Sequence, residues 1–174
     1  WVESVMKFFT SRNFAISASD GSVLGYGKSV WAMIDTQSRQ PVDIFSINDG
    51  LIKEYVETEK PCPIAKSGRV KVTADAELVR TIDTYYNDVD VNGHINSIKY
   101  IQHVLDLFDI DFYKANRLKR LEVAYVAETY QGDKLSFYRE EIAPLEYAIK
   151  VVKIKKETQE TIEVCRILMN FVKD

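Results

Sequence analysis

The sequence predicts an α+β fold, and three observations carry the prediction. Strand-like runs dominate both ends of the 174-residue chain, one strongly helical stretch lies between them, and a proline-containing segment without periodicity divides the whole. Runs of strands with a single long helix point to an antiparallel sheet covering that helix, not to a doubly wound parallel sheet.

The first strands come early. Val5 to Ser17 is rich in Phe and β-compatible residues, Ser19-Asp20-Gly21-Ser22 reads as a turn, and Val23 to Ile34 continues with Leu24, Tyr26, Val30 and Trp31. Two such runs joined through an Asp-Gly step predict a hairpin. Asp35 to Pro41 is polar and turn-like. Leu51, Ile52, Tyr55 and Val56 sit at helical spacing, so a short helix is expected over Asn48 to Glu57. Residues 58–67 read as a linker between a unit at 1–57 and a second at 68–174.

The second unit has a clear plan. A strand is expected from about Arg69 to Leu78, then a connector, the loop Asp88 to Asn96, and a helix from Ser97 to about Asp109. In that helix Ile98, Ile101, Leu105 and Phe108 form a stripe expected to face the core. Strands are expected at about 118–129, 134–142, 146–156 and 161–172.

Composition excludes several classes of function. Apolar residues make up 46 % and charged residues 28 %, and the net charge of −3 argues against a nucleic-acid or anionic-membrane partner. No segment approaches the ~20 apolar residues of a membrane span, and no signal peptide opens the sequence. Cys62, between two prolines, and Cys165, in an apolar run, match neither a disulfide framework nor a metal-ligand pair. Both are expected as free thiols in a reducing compartment. The sequence opens on Trp1 in a strand-like run, so a longer natural protein is expected.

The loop Asp88-Val-Asp90-Val-Asn92-Gly93-His94-Ile-Asn96 holds two carboxylates, two carboxamides and an imidazole around one glycine, just ahead of a helix. Such a set suits either carbonyl chemistry or ion binding. Its first eight positions match a calcium-binding EF-hand loop, but the twelfth, which should be a chelating glutamate, is Lys99. A purely structural reading is an elaborate helix cap. His103, nine residues on from His94, is expected as an exposed or edge residue of the helix and not as a partner of His94.

The stretch Asp88 to Ile101 closely resembles the D-x-D-x-N-x-H-x-N signature of acyl-acyl-carrier-protein (acyl-ACP) thioesterases of plant plastids and bacteria. Tyr125-Val-Ala-Glu128-Thr129-Tyr-Gln-Gly132-Asp133 is similar to the family's glutamate-containing strand. Phe14 to Gly21 and Trp31-Ala-Met-Ile-Asp35…Arg39-Gln-Pro41-Val42 resemble its first-domain hairpin. The resemblance implies tandem hotdog domains, each a long helix wrapped by a curved antiparallel sheet, the first incomplete in this sequence. It implies hydrolysis of fatty acyl-ACP, with Asp90, Asn92, His94 and Glu128 as the catalytic network and Gly93, Asn96 and Thr129 in support. Backbone N–H groups at Gly93 and His94 are expected as further donors to the reacting carbonyl.

Plant members carry cysteine where this sequence has Thr129, so direct attack by activated water is expected, without an acyl-enzyme. A threonine nucleophile is the alternative. An acidic carrier calls for a basic dock, and Lys114, Arg117, Lys119 and Arg120 are the candidates. No metal or redox cofactor is implied, and a homodimer is left open. A coenzyme A thioesterase and a non-catalytic acyl-thioester binder remain as alternatives. The implied setting is a bacterial cytoplasm, with the plastid stroma second.

Overall fold

The computed structural model describes residues 1–65 and 67–174, which form two compact units, Trp1–Lys66 and Ser67–Asp174. Of the expected linker, Lys66 lies outside the described residues.

Unit 1 is a three-stranded antiparallel sheet in the order β1 (Val2–Val5), β2 (Phe9–Ser17), β3 (Val23–Ala32). The β2–β3 hairpin turns where expected: Asp20 accepts from the Ser22 amide at 2.9 Å, and Gly21 supplies a φ of +86°. The helix expected over 48–57 is instead 3-10 turns over Asn48–Tyr55. They are interrupted because Asp49 and Gly50 take positive φ, which an α-helix cannot continue through. Ile44, Ile47, Leu51 and Ile52, with Thr10 and Arg12, line a cavity of about 240 Å³ in this unit.

Unit 2 is a hotdog. A five-stranded antiparallel sheet, ordered β4 (Glu77–Asp83), β6 (Lys134–Ala143), β7 (Glu146–Ile154), β8 (Thr161–Lys173), β5 (Asn116–Tyr125), packs on α1 (Ser97–Leu105). Its core joins Tyr100 and Val104 of α1 to Leu135, Phe137, Ile149 and Ile167 of the sheet. Each fully buried side chain of this kind contributes roughly 1.5–3 kcal/mol.

Three expectations are corrected here. The first strand of this unit begins at Glu77, not Arg69; Thr73 and Asp75 form a turn, with the Asp75 amide donating to Thr73 Oγ1 at 3.1 Å. The helix is nine residues long, and a second, α2 (Ile110–Ala115), starts where the Asp109 carboxylate accepts from the Phe112 amide at 2.7 Å. Of the expected stripe Leu105 and Phe108 pack against the core, beside the more deeply buried Tyr100 and Val104, while Ile98 is 54 % exposed. Tyr125 also holds α1: its ring meets Tyr100 and its hydroxyl donates to the Ser97 carbonyl. His103 is half-buried with its ring against Phe137, and burial lowers its pKa.

Candidate active site

The loop ahead of α1 is folded by its own side chains. Val89 and Ile95 pair across it, and between them the Asp90 amide donates to the His94 carbonyl at 2.8 Å. Asp90 Oδ1 accepts from the Asn92 amide at 2.8 Å and the His94 amide at 3.2 Å. These bonds, the Asn92 amide first, hold the Asp90 carboxyl below the ordinary carboxylate range, aided by the Asn92 side chain and the nearby imidazole. Gly93 has φ +82°, the left-handed turn that glycine adopts without strain. Asp90 therefore fixes the main chain of Asn92 and His94.

Asp88 and Asn96 close the loop's base. The Asn96 amide donates to the Asp88 carbonyl at 2.7 Å, and the Asn96 side chain caps α1 by accepting from the Ile98 amide at 3.0 Å. The Asp88 carboxylate accepts from the Tyr85 amide and faces Lys99 Nζ at 3.7 Å. The twelfth position of the calcium-like loop thus puts a cation beside the first carboxylate, and no three potential metal ligands gather among the described residues. The helix-cap reading is correct for Asn96 and leaves His94 and Asn92 unexplained.

Glu128 arrives on the opposite segment. Expected on a strand reaching 129, it lies beyond the end of β5 at Tyr125. There the Val126 and Ala127 amides both turn to the Val164 carbonyl and the chain leaves the sheet. The Ile95 amide then donates to the Thr129 carbonyl at 2.8 Å, joining this segment to the loop. His94 Nε2 and Glu128 Oε2 come to 3.4 Å, with the His94 side chain 23 % and that of Glu128 42 % exposed, so solvent reaches both.

Asn92 is exposed near the loop tip, its carboxamide against Asp90. The four expected catalytic residues are thus brought together, three in one loop and Glu128 across from them. The Gly93 and His94 amides are not available as donors to a substrate. They are occupied by the Asp90 carbonyl (3.1 Å) and carboxylate (3.2 Å), and α1 begins only after Asn96.

Thr129 is fully buried beside the Tyr100 phenol, whose pKa burial raises to about 12. A sealed hydroxyl next to a protonated phenol has neither a base nor a path to a substrate. Cys165 lies in the core with its thiol pushed up to about 12 by burial, and Cys62 is half-buried in unit 1. The basic residues after α1 are largely compensated. Lys114 pairs with Asp111 at 2.8 Å, Arg117 with Asp174 at 3.4 Å and Arg120 with Glu122 at 2.6 Å, while Lys119 is exposed.

Four supporting residues escape a reading of the sequence. Thr84 Oγ1 sits within 2.8 Å of the Asp133 carbonyl and accepts from the Gly132 amide at 2.9 Å. The Asp133 carboxylate accepts from the Tyr130 amide at 3.1 Å. Buried Lys153 donates to the Glu128 carbonyl, and the Tyr130 hydroxyl donates to Glu128 Oε2 at 3.3 Å. Tyr130 and Asp133 fall within the Tyr125 to Asp133 stretch without a role assigned there, Lys153 shows as a cation within the apolar run Ile149 to Ile154, and Thr84 leaves no trace.

Two family models match the chain, the acyl-ACP thioesterase N-terminal domain over residues 1–55 and the acyl-ACP thioesterase C-terminal domain over residues 72–170. The palmitoyl-acyl carrier protein thioesterase of Arabidopsis thaliana chloroplasts is 26 % identical over 132 residues, covering 74 % of this chain and 32 % of its own length. The chain therefore spans about a third of the length of the curated relatives it matches. An acyl-ACP thioesterase structure from Bacteroides thetaiotaomicron superimposes with a TM-score of 0.87 at 44 % identity, covering 99 % of this chain and 66 % of that one. The 12:0-ACP thioesterase from Umbellularia californica shares the fold, with a TM-score of 0.80 at 18 % identity, over 100 % of this chain and 66 % of that one.

Proposed function

The chain belongs to the acyl-ACP thioesterase family, and we propose that it hydrolyses fatty acyl-ACP to a free fatty acid and ACP. The observation that carries this reading is the 3.4 Å contact between His94 and Glu128, both open to solvent. An imidazole and a carboxylate in contact can take a proton from water, which neither does as well alone.

In the proposed reaction a water oxygen attacks the thioester carbonyl carbon while its proton passes to the His94–Glu128 pair. The tetrahedral intermediate collapses, the C–S bond breaks, and the proton is returned to the departing carrier thiolate. Asn92 orients the water or donates to the carbonyl oxygen, and Asp90 keeps Asn92 and His94 in place through their amides. No acyl-enzyme forms. The burial of Thr129 and the high thiol pKa of Cys165 both support that route.

Residues 68–174 are read as the catalytic C-terminal hotdog and 1–57 as part of an N-terminal one. The aliphatic lining of the unit 1 cavity suits a hydrocarbon chain. The proposed setting is a bacterial cytoplasm, supported by the 44 % identity to the Bacteroides structure, with the plastid stroma second. Among the described residues no helix is long and apolar enough to cross a membrane.

A second reading, hydrolysis of acyl-coenzyme A, gains from one observation. Three of the four cations expected to dock an acidic carrier already face carboxylates. Thiol release from matched acyl-ACP and acyl-coenzyme A panels decides between them. Faster turnover of acyl-ACP supports the proposal, preference for coenzyme A esters replaces the carrier, and binding without turnover of either identifies a non-catalytic binder.

A further inference from the structure

Glu128 has a neighbour that the reaction above does not use. Tyr130 touches both members of the proposed base pair. Its hydroxyl donates to Glu128 Oε2 at 3.3 Å, the same oxygen that faces His94 Nε2 at 3.4 Å. Its ring meets the His94 imidazole edge-on, with centroids 5.1 Å apart and planes at 77°. Glu128 lies beyond the end of β5, and its side chain is 42 % exposed.

Beneath Tyr130 lies a buried cation. Lys153 is 5 % exposed and pairs in register with the core residue Leu135. A buried ammonium is costly unless hydrogen-bonded. Its Nζ donates to the Glu128 carbonyl and lies 5.7 Å from the centre of the Tyr130 ring. An aliphatic residue would fill such an inward position without that cost. The lysine instead grips the Glu128 main chain and presents its charge to the Tyr130 face. Asp133 fixes the other side of Tyr130 by accepting from its amide.

We infer that Tyr130 is a positioning residue whose phenol holds the Glu128 carboxylate against His94, on a segment fixed from below by Lys153. The inference rests on the proposed hydrolysis. The Tyr130 hydroxyl acts through Glu128, so its removal should slow turnover without weakening substrate binding.

The test is Tyr130→Phe, which keeps the ring and removes only the hydroxyl, studied alone and combined with Glu128→Gln. A lost hydrogen bond to a carboxylate corresponds to about a tenfold lower kcat, with KM within about twofold. In the Glu128→Gln background the same change should have no further effect, because the carboxylate that the hydroxyl positions is gone. A general defect in packing would instead lower the melting temperature and multiply through both backgrounds.

Carboxyl 13C NMR of the same proteins supplies a readout independent of turnover. The Glu128 resonance should move in Tyr130→Phe while carboxyls remote from it stay in place. An unmoved Glu128 resonance overturns the inference whatever the kinetics, as does unchanged kcat with a moved resonance. A parent inactive on every thioester, with the resonance still responsive, removes the hydrolytic reading and the catalytic consequence drawn from it, leaving only the contact.

Discussion

The Ile95 amide donates to the Thr129 carbonyl at 2.8 Å, and this bond ties the residue after His94 to the residue after Glu128. The two proposed catalytic side chains come from segments more than thirty positions apart. Main-chain bonding one residue along each segment brings them to 3.4 Å. The pair therefore depends on how the turn at 129–133 is held.

Thr84 is central to that turn. Its buried hydroxyl reaches the Asp133 carbonyl at 2.8 Å and receives the Gly132 amide at 2.9 Å. Thr84→Val keeps the shape and strands both groups, which costs about 1–3 kcal/mol. Chemical denaturation should show that loss with an unchanged m-value, and kcat should fall with it.

Core packing separates Phe137 of β6 from Ile98 of α1. Phe137→Ala removes a fully buried ring and should destabilise by about 3–5 kcal/mol. Ile98→Ala, at a position 54 % exposed, should stay within about 0.5 kcal/mol of the parent. Equal losses in urea melts would mean that Ile98 is packed in the core.

Much of this arrangement can be read in the residues, and the exceptions have physical causes. The Asp-Gly hairpin and the last three strands follow from turn chemistry and β-branched runs, which act locally. The motif residues Asp90, Asn92 and His94 also fall together because one short loop carries them. Glu128 was expected on a strand, since Val123 to Val126 looks strand-like. The departure at Tyr125 is set by the Val164 carbonyl, which belongs to β8. Likewise Ile98 shares its spacing with Leu105 and Phe108 but is exposed, because burial at the start of α1 depends on sheet residues distant in sequence. Thr84 and Lys153 act through main-chain groups distant in sequence, which no local pattern records.

The thiols should divide cleanly. Burial raises the Cys165 thiol to about 12, leaving almost no thiolate near neutrality, whereas Cys62 is only half-buried. Iodoacetamide at neutral pH should label Cys62 alone in the native protein and both after unfolding, as intact mass would show. Hydrolysis should survive the native labelling, because no thiol takes part.

Acid should loosen the catalytic loop. The Asp90 carboxyl titrates below its unfolded value of about 3.9, so the folded state favours the ionised form. That stabilisation is complete above about pH 4–5 and is lost as pH falls through the lower folded value. Between about pH 5 and 3 the melting temperature of Asp90→Asn should therefore fall less steeply than that of the parent.

The central claim is that His94 and Glu128 act as one unit on water. It is tested most directly by thiol release from acyl-ACP, comparing the parent with His94→Ala, Glu128→Gln and the double variant. Each single change should lower kcat by about 10²–10⁴, and the double variant should be no slower than the worse single one. Parental turnover in either single variant, or losses that multiply in the double, would contradict the account.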